Sequence, residues 1–571
     1  VQPPSAPRND LDSVLAKARL RANLDALARR QPALARELAE ASPIAVSLAR
    51  SGEPTAKHLL GGVERWLHSA YEPSVEAERL ARLVPSTAPA VEVVGGGLGY
   101  LPARLLSESP ARPVVLVEPD RRLLRTMLAL FDLRDALAEG RLTLLVADES
   151  DAEVLPLVPR GAFTLALPSL AETYADRVRH LRFLRRRRGE RGRVLAIAYK
   201  LLLGDIVDEL EERGFAVRVV EASSLRVDSF RELVATVRPH AVFSMNWSPE
   251  LALLATRSGV GYASWTIDPL PTSRLAVVPG TDVARCVAFA HRRDLVDELS
   301  RVGLASVGFL PLAAGRRRHV VSDPATLTAH RARVSFAGVS LAVEREGLVA
   351  RLREHGADTA LVERTLAWIA EEFHLRGAPL DYRGLEVAPA SLPDWLARGL
   401  PRFDPIELVD RINGTLSHHL RMRRVRALLD EGIHVWGDEG WEALGPAYRG
   451  RAAHGEPLSA IYSASAVNLD VPRLYQRDIA TMRVFDILAC GGVLLTEPSA
   501  QILEMFRDGE HLFTYRDDAE LVLRVRELAE HPAAARAAAE RGRRLVLEEH
   551  LLSHRVSTIV EALEARGWFA G

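Results

Sequence analysis

Short apolar runs separated by amphipathic stretches recur along this chain in three series. The first comprises VEVVGGGLGY (91–100), VVLVEPD (114–120) and LTLLVADES (142–150), with Leu and Ala at helical spacing between them. Apolar runs of this length, without alternation, suit strands buried on both faces, and the helical stretches suit crossover connections. The order β-α-β-α-β predicts a parallel sheet. A second series starts at RVLAIAYK (193–200), followed by a helix over 201–213. It continues through FAVRVVEA, HAVFSMNW, VGYASWTID, CVAFAH and ASVGFLPLA. A third starts at RVSFAGVS (333–340) and is interrupted by amphipathic helix over 345–430. It resumes at IHVWGDEGW, SAVNLDVP, GGVLLTEP and HLFTYRD, and turns helical from Asp518. Ahead of all three, residues 10–85 read as helices broken at Pro32, Pro43, Pro54 and Gly61-Gly62.

This pattern predicts an α/β protein with a helical N-terminal segment (1–85) and three Rossmann-like domains (86–190, 191–332 and 333–571), the last carrying the helical insertion at 345–430. With 571 residues the chain exceeds what one hydrophobic core supports. A composition of 48% hydrophobic and 26% charged residues excludes a largely disordered or collagenous chain. The net charge of -1 argues against a whole-protein nucleic-acid or membrane-surface role. Of 74 basic residues only Lys17, Lys57 and Lys200 are lysines, leaving 71 arginines. In so arginine-rich a chain, runs such as Arg185–Arg188 read as solvated helix faces. Two distant cysteines, Cys286 and Cys490, suit a reducing compartment and no cysteine metal site. VQPPSAPRNDLDS lacks the apolar core of a signal peptide, and no apolar run reaches 18 residues. A cytoplasmic enzyme without a transmembrane segment is the expectation.

Gly95, Gly97 and Gly99 follow a strand and open a helix, and Glu118 ends the next strand 23 residues after Gly95. Glycines let backbone approach a ligand, the helix N-terminus favours anions, and an acidic strand end can hold ribose hydroxyls. The spacing, with Glu118 and Asp148, resembles an S-adenosylmethionine-binding domain, although Val93 stands where methyltransferases usually carry an acid. GLGYLPARLL…VVLVEPD also resembles the N-terminal part of bacterial motility accessory factors, which take part in flagellin glycosylation.

The densest motif is QRDIATMRVFDILACGGVLLTEP (476–498). Asp478 and Asp486 are separated by seven residues, as in the E-x7-E signature of many nucleotide-sugar glycosyltransferases, with Asp in both places. A helix starting near Thr481 offers free N–H groups to a diphosphate, and Arg483 lies in its first turn. Asp486, three residues on, can accept from ribose hydroxyls, and Gly491-Gly492 stop the helix.

From 193 to 565 the chain resembles the CgeB-like (spore-maturation) glycosyltransferases, often described as glycosyl transferases group 1. The matching stretches, in family order, are FSMNWSPE, YASWTIDPL, GFLPLAAG, VSFAGVS, HVWGDEGW, YSASAVNLDVP, RVFDILACGGVLLTEP and EEHLLSHR. Asp486 stands where that family usually has Glu, and the 345–430 insertion is atypical. The resemblance implies a GT-B fold from the last two domains, a UDP- or other nucleotide-sugar donor, no metal, and a protein (flagellin-like) or surface-polysaccharide acceptor. Gly338 and Ser340 then face the donor phosphates, with His454, Tyr462 and Asn468 around the base or ribose. Asn246, Trp247 and Trp265 line the acceptor side, and Asp268 and Asp478 are the catalytic candidates, Asp268 as general base. Two alternatives are a bifunctional methyltransferase–glycosyltransferase and a non-catalytic glycosylation assembly factor that keeps the fold.

Overall fold

The computed structural model describes residues 13–60, 63–146, 162–171, 174, 183, 191–200, 202–222, 225–268, 274–376, 392–399 and 403–569. The chain divides into two compact units, Val1–Gly189 and Glu190–Gly571.

In the first unit the helices Val14–Ala28 and Pro32–Glu40 open the chain. Ser13 caps the first, its Oγ accepting the Ala16 N–H at 3.1 Å. Asn23 is buried within that helix. It donates to the carbonyls of Leu128 and Phe131, both at 2.7 Å, and accepts from the Leu133 N–H at 2.9 Å. A buried amide satisfied on both ends fixes the helix against the Rossmann layer.

The all-helical reading of residues 1–85 needs correction. β1 (Ser47–Leu48) pairs antiparallel with β2 (Pro54–Thr55), and β3 (Lys57–Leu60) with β4 (Val63–Trp66). Leu60 faces Val63 across a two-residue connection, so the Gly61-Gly62 pair separates two strands of a hairpin rather than two helices. Beyond them, β5 (Val91–Val94), β6 (Val114–Val117), β7 (Leu142–Leu145) and β8 (Phe163–Ala166) form a parallel sheet in the order β7-β6-β5-β8. Every residue of β5 and β6 is buried, as their unbroken apolar runs require. Strand order reverses beside β5, so the 95–99 turn sits at the switch point where such sheets hold ligands.

The second unit contains two further parallel sheets. β9 (Gly192–Ile197), β10 (Phe215–Val220), β11 (Ala241–Met245), β12 (Gly261–Thr266), β13 (Cys286–Ala290) and β14 (Val307–Phe309) lie in the order β10-β9-β11-β12-β13-β14. β15 (Val334–Ala337), β16 (Ile433–Trp436), β17 (Val467–Leu469), β18 (Leu494–Thr496) and β19 (Phe513–Thr514) lie in the order β16-β15-β17-β18-β19. Between β15 and β16 run the helices Ala342–Glu354, Thr359–Arg376, Asp394–Gly399 and Pro405–Arg426, the expected insertion. Leu348, Leu352, Ile412 and Leu416 from it share one core with Val334, Phe336 and Val435 of the strands.

The chain crosses between these two lobes twice, and the crossings lie side by side. The Ala314 N–H donates to the His550 carbonyl at 2.9 Å, and the Leu552 N–H to the Ala314 carbonyl at 3.2 Å. The last helix, Leu552–Glu564, thereby returns from the second lobe to pack on Leu203–Glu212 of the first. There Arg213 donates to the Ser553 carbonyl at 2.9 Å and to the Ser557 hydroxyl at 3.1 Å. Two tandem Rossmann-like lobes closed by a returning C-terminal helix are the GT-B arrangement.

Candidate functional site

At the carboxyl end of β5, Gly95, Gly97 and Gly99 have φ of 80°, 52° and 98°, a region that favours glycine. A side chain at Gly97 would meet His68 Nε2 at 2.5 Å, and one at Gly99 would meet Met127 Cγ at 2.3 Å. The backbone approach that the motif permits is therefore taken up by the unit's own side chains. His68 Nε2 accepts the Leu98 N–H at 2.8 Å. Glu118, fully buried, accepts the N–H groups of Gly96 (2.9 Å) and Asp120 (3.1 Å) and the Tyr174 hydroxyl (2.7 Å). Burial pushes its carboxyl up to about 7, against the pull of those three hydrogen bonds. A tyrosine hydroxyl thus stands on the carboxylate that the sequence assigns to ribose. Asp148 and the run Arg185–Arg188 lie outside the described residues.

In the second unit, a cavity of about 570 Å³ opens at the carboxyl ends of β15 and β17, beside the strand reversal. The turn after β15 supplies Gly338 and Val339, the turn after β16 Gly437 and Asp438, and the helix Met482–Ala489 supplies Met482, Arg483 and Asp486. From the first lobe Ile267 and Asp268 close the cavity. Five arginines (318, 421, 451, 473 and 483) face it, against Asp268, Asp438 and Asp486.

Thr481 caps the helix Met482–Ala489 with extended backbone, but its buried Oγ1 makes no hydrogen bond, leaving the first-turn N–H groups without a side-chain acceptor. Arg483 is half-buried. It donates to the Ala337 carbonyl at 3.0 Å and pairs with the buried Asp470; burial works against its charge, but Asp470, Tyr462 and Asp486 together hold the guanidinium basic. Gly338 is needed for this, since a side chain there would lie 2.9 Å from Arg483 Nη2. Asp486 is buried. One carboxylate oxygen accepts the Gly315 N–H at 2.8 Å and the other lies 2.9 Å from Arg318 Nε. Burial raises its carboxyl from the usual range while Arg318 and Gly315 pull it down.

Of the sequence candidates, Gly338, His454, Tyr462, Thr481, Arg483, Asp486 and Asp268 all line the cavity. His454 is exposed, whereas Tyr462 is buried and its hydroxyl pushed up by that burial. Asp268 is held by its neighbours: the Tyr199 hydroxyl donates to it, as does Asn246 Nδ2 at 2.9 Å. Asn246 has φ of 64°, and its Oδ1 accepts the N–H groups of Ile267 (2.9 Å) and Asp268 (3.1 Å). It shapes the turn that presents Asp268.

Other candidates are placed elsewhere. Trp247 and Trp265, read as a sugar platform, are core residues whose indole N–H groups donate to the carbonyls of Leu275 (3.0 Å) and Leu310 (2.9 Å). Ser340 is fully buried and its hydroxyl and N–H both serve Asp438. Asn468 lies inside the sheet, accepting from Ser335 at 2.7 Å and donating to the Tyr462 carbonyl at 3.1 Å. Asp478 lies outside the cavity wall, 3.1 Å from Arg292 Nη2 in a neighbouring groove with Gln501 and Glu504.

Sequence reasoning missed Arg421 and Arg318. Arg421 is buried on the helix Pro405–Arg426. It donates to the Val339 carbonyl at 2.7 Å, and among the described residues its Nε makes no hydrogen bond and no carboxylate pairs with it. Burial, then Arg483 and Arg473, push it down from the usual guanidinium range. The signal available was a polar stripe, Asn413, Ser417, Arg421 and Arg424, on the buried face of that helix. Among the described residues no group of three or more His, Cys, Asp or Glu is disposed to hold a metal ion. None of their helices is long and apolar enough to cross a membrane.

Residues 417–561, which include Arg421, the helix Met482–Ala489 and most of the cavity lining, match a family described as glycosyl transferase-like. No curated protein matches the chain in sequence. Among solved structures, Anabaena HepE (Alr3699), determined with UDP and glucose, aligns over 66% of this chain and 100% of its own at 10% identity, with a TM-score of 0.38. Sucrose-phosphate synthase from Thermosynechococcus elongatus aligns over the same two shares at 12% identity, with a TM-score of 0.39. The MAf glycosyltransferase from Magnetospirillum magneticum AMB-1 aligns over 52% of this chain and 57% of its own at 13% identity, with a TM-score of 0.23. The strand orders and the returning helix define the fold.

Proposed function

We propose that the second unit is a glycosyltransferase that takes its sugar from a nucleotide donor bound in the 570 Å³ cavity. One observation carries this reading: of three buried cavity-lining atoms without a hydrogen-bond partner among the described residues, Arg318 Nε lies against Asp486, whereas Arg421 Nε and Thr481 Oγ1 are left open near a helix N-terminus that lacks a side-chain cap. A buried guanidinium stays charged and wants an anion, while a buried hydroxyl can donate. A diphosphate supplies acceptors for both and for the first-turn N–H groups. The match of residues 417–561 to a glycosyl transferase-like family supports the reading.

Arg421, the helix N-terminus and Thr481 neutralise the leaving diphosphate without a metal, which makes the reaction metal-independent. Asp268, presented on the opposite lobe by Asn246 and Tyr199, is the general base for an acceptor hydroxyl. The acceptor is a protein or a polysaccharide, and the reaction proceeds in the cytoplasm. Hydrolysis of a panel of nucleotide sugars, with and without chelator, tests this. Release of a nucleoside diphosphate from at least one sugar, unaffected by chelator, is expected; no turnover and no binding across the panel would sink the proposal.

A further inference from the structure

We propose that Arg318 is an internal occupant of the donor site, holding the Asp486 carboxylate until a ribose displaces it, so that nucleotide binding loosens the Arg316–Arg318 stretch of the segment joining the two lobes. The inference rests on the nucleotide-sugar reading above. Asp486 is the carboxylate that the seven-residue spacing assigns to ribose hydroxyls, and it lines the cavity. Both its oxygens are engaged by the first crossing between the lobes, one by the Gly315 N–H and the other by Arg318. The Arg318 side chain is itself 8% exposed and forms part of the same wall.

The two contacts differ in kind. The Gly315 N–H makes an aligned hydrogen bond, whereas Arg318 Nε, 2.9 Å from the carboxylate, is buried without one. Arg318 therefore holds Asp486 mainly by charge, through a poorly aligned N–H. Its departure alone would leave a buried carboxylate uncompensated, which is costly. Ribose hydroxyls can donate directed hydrogen bonds to the same carboxylate and remove that cost. Ligand and Arg318 are thus alternative partners for one group.

The position of Arg318 converts this exchange into a mechanical event. Ala314 is fixed between His550 and Leu552 at the second crossing. Arg316 is ion-paired with Glu209 and Glu212 on the helix Leu203–Glu212 of the first lobe. Two residues on, Arg318 is anchored to the donor helix of the second lobe, and the Val321 N–H reaches Ser463 at 3.1 Å. Freeing Arg318 removes one of the ties between this segment and the nucleotide helix, leaving the Gly315–Asp486 and Val321–Ser463 hydrogen bonds, and so loosens residues 316–318. The ligand can drive this only through a contact that exists in one state alone, and the ribose–Asp486 contact is such a contact.

The test pairs UDP, ADP, GDP and CDP with their 2′,3′-dideoxy counterparts in calorimetry on the full chain, wild type and Arg318→Gln. The glutamine variant should bind the ribonucleotide about tenfold more tightly, with dideoxy affinity unchanged. In wild type, the ribonucleotide but not the dideoxynucleotide should speed tryptic cleavage within Arg316–Arg318, a readout that needs no variant to fold. Equal weakening of both ligands would make Arg318 a phosphate ligand and overturn the proposal, as would unchanged affinities or unchanged cleavage. No binding of any diphosphate by either protein would instead overturn the nucleotide-sugar reading, and this inference with it.

Discussion

At the carboxyl end of β5 the turn carries three glycines with positive φ and is packed by His68, Tyr174, Leu170 and Met127. At the carboxyl end of β15 the turn carries Gly338 alone, yet it faces a cavity of about 570 Å³. Both turns sit at a strand reversal of a parallel sheet. They differ in whether the polar groups around them are satisfied. Around β5 the Gly96, Leu98 and Asp120 N–H groups all have side-chain acceptors. Around β15, Arg421 Nε and Thr481 Oγ1 have no hydrogen-bond partner among the described residues. A glycine fingerprint reports that something must come close to the backbone; buried polar groups left open report that the something is not part of the chain.

The largest expected effect tests the packed turn. Gly97→Ala places a Cβ 2.5 Å from His68 Nε2 at a φ of 52° and should cost the first unit about 3 kcal/mol. Hydrogen exchange in β5 reads that loss, and an unaffected β5 would show the turn to be loosely filled.

The units should also respond oppositely to pH. Glu118 stands at about 7 in the folded state against an ordinary 4.5, so its contribution is full below 4.5 and is lost as pH rises through 7. In the second unit burial pushes His291 and His550 down to about 4 from 6.5. Their contribution is full above 6.5 and is lost as pH falls through 4. Each full window is worth on the order of 3 kcal/mol. Exchange in β5 should accelerate from pH 4.5 to 7, and in β12 from pH 6.5 to 4, after correction for intrinsic rates. Glu118→Gln should flatten the first slope alone.

At the open turn, Arg421→Ala should weaken nucleoside diphosphate binding ten- to a hundredfold, the scale of a charge-assisted hydrogen bond of roughly 1.5–3 kcal/mol. Thermal stability should hold or rise, because a buried cation with no carboxylate partner among the described residues has been removed. Unchanged affinity by calorimetry would move the phosphate elsewhere. Thr481→Val is the mildest change, removing one hydroxyl at about 1 kcal/mol, a severalfold loss of affinity with no change in stability.

Strand runs and helix starts were legible because burial on both faces and capping leave local marks. VEVV and VVLV became β5 and β6, and Thr481 heads the helix it was expected to head. The side of a strand was not legible. Trp247 and Trp265 stand at strand ends, but their indoles turn into the core toward Leu275 and Leu310. Partner choice was hidden as well: Arg483 read as free for phosphate, whereas Asp470, thirteen residues upstream just past the end of β17, takes it. Among 71 arginines, one buried member of the Arg316–Arg318 run and one on the Pro405–Arg426 helix carry no local sign of their surroundings. Only the fold, by bringing residues 318, 421 and 481–486 to one cavity, singles them out.

The most direct test is hydrogen exchange of the full chain with and without the tightest-binding nucleoside diphosphate. Protection confined to 337–340, the region around Arg421 and 481–486, with residues 95–99 unchanged, is the expected result. Protection at 95–99, with none around 481–486, would contradict the account.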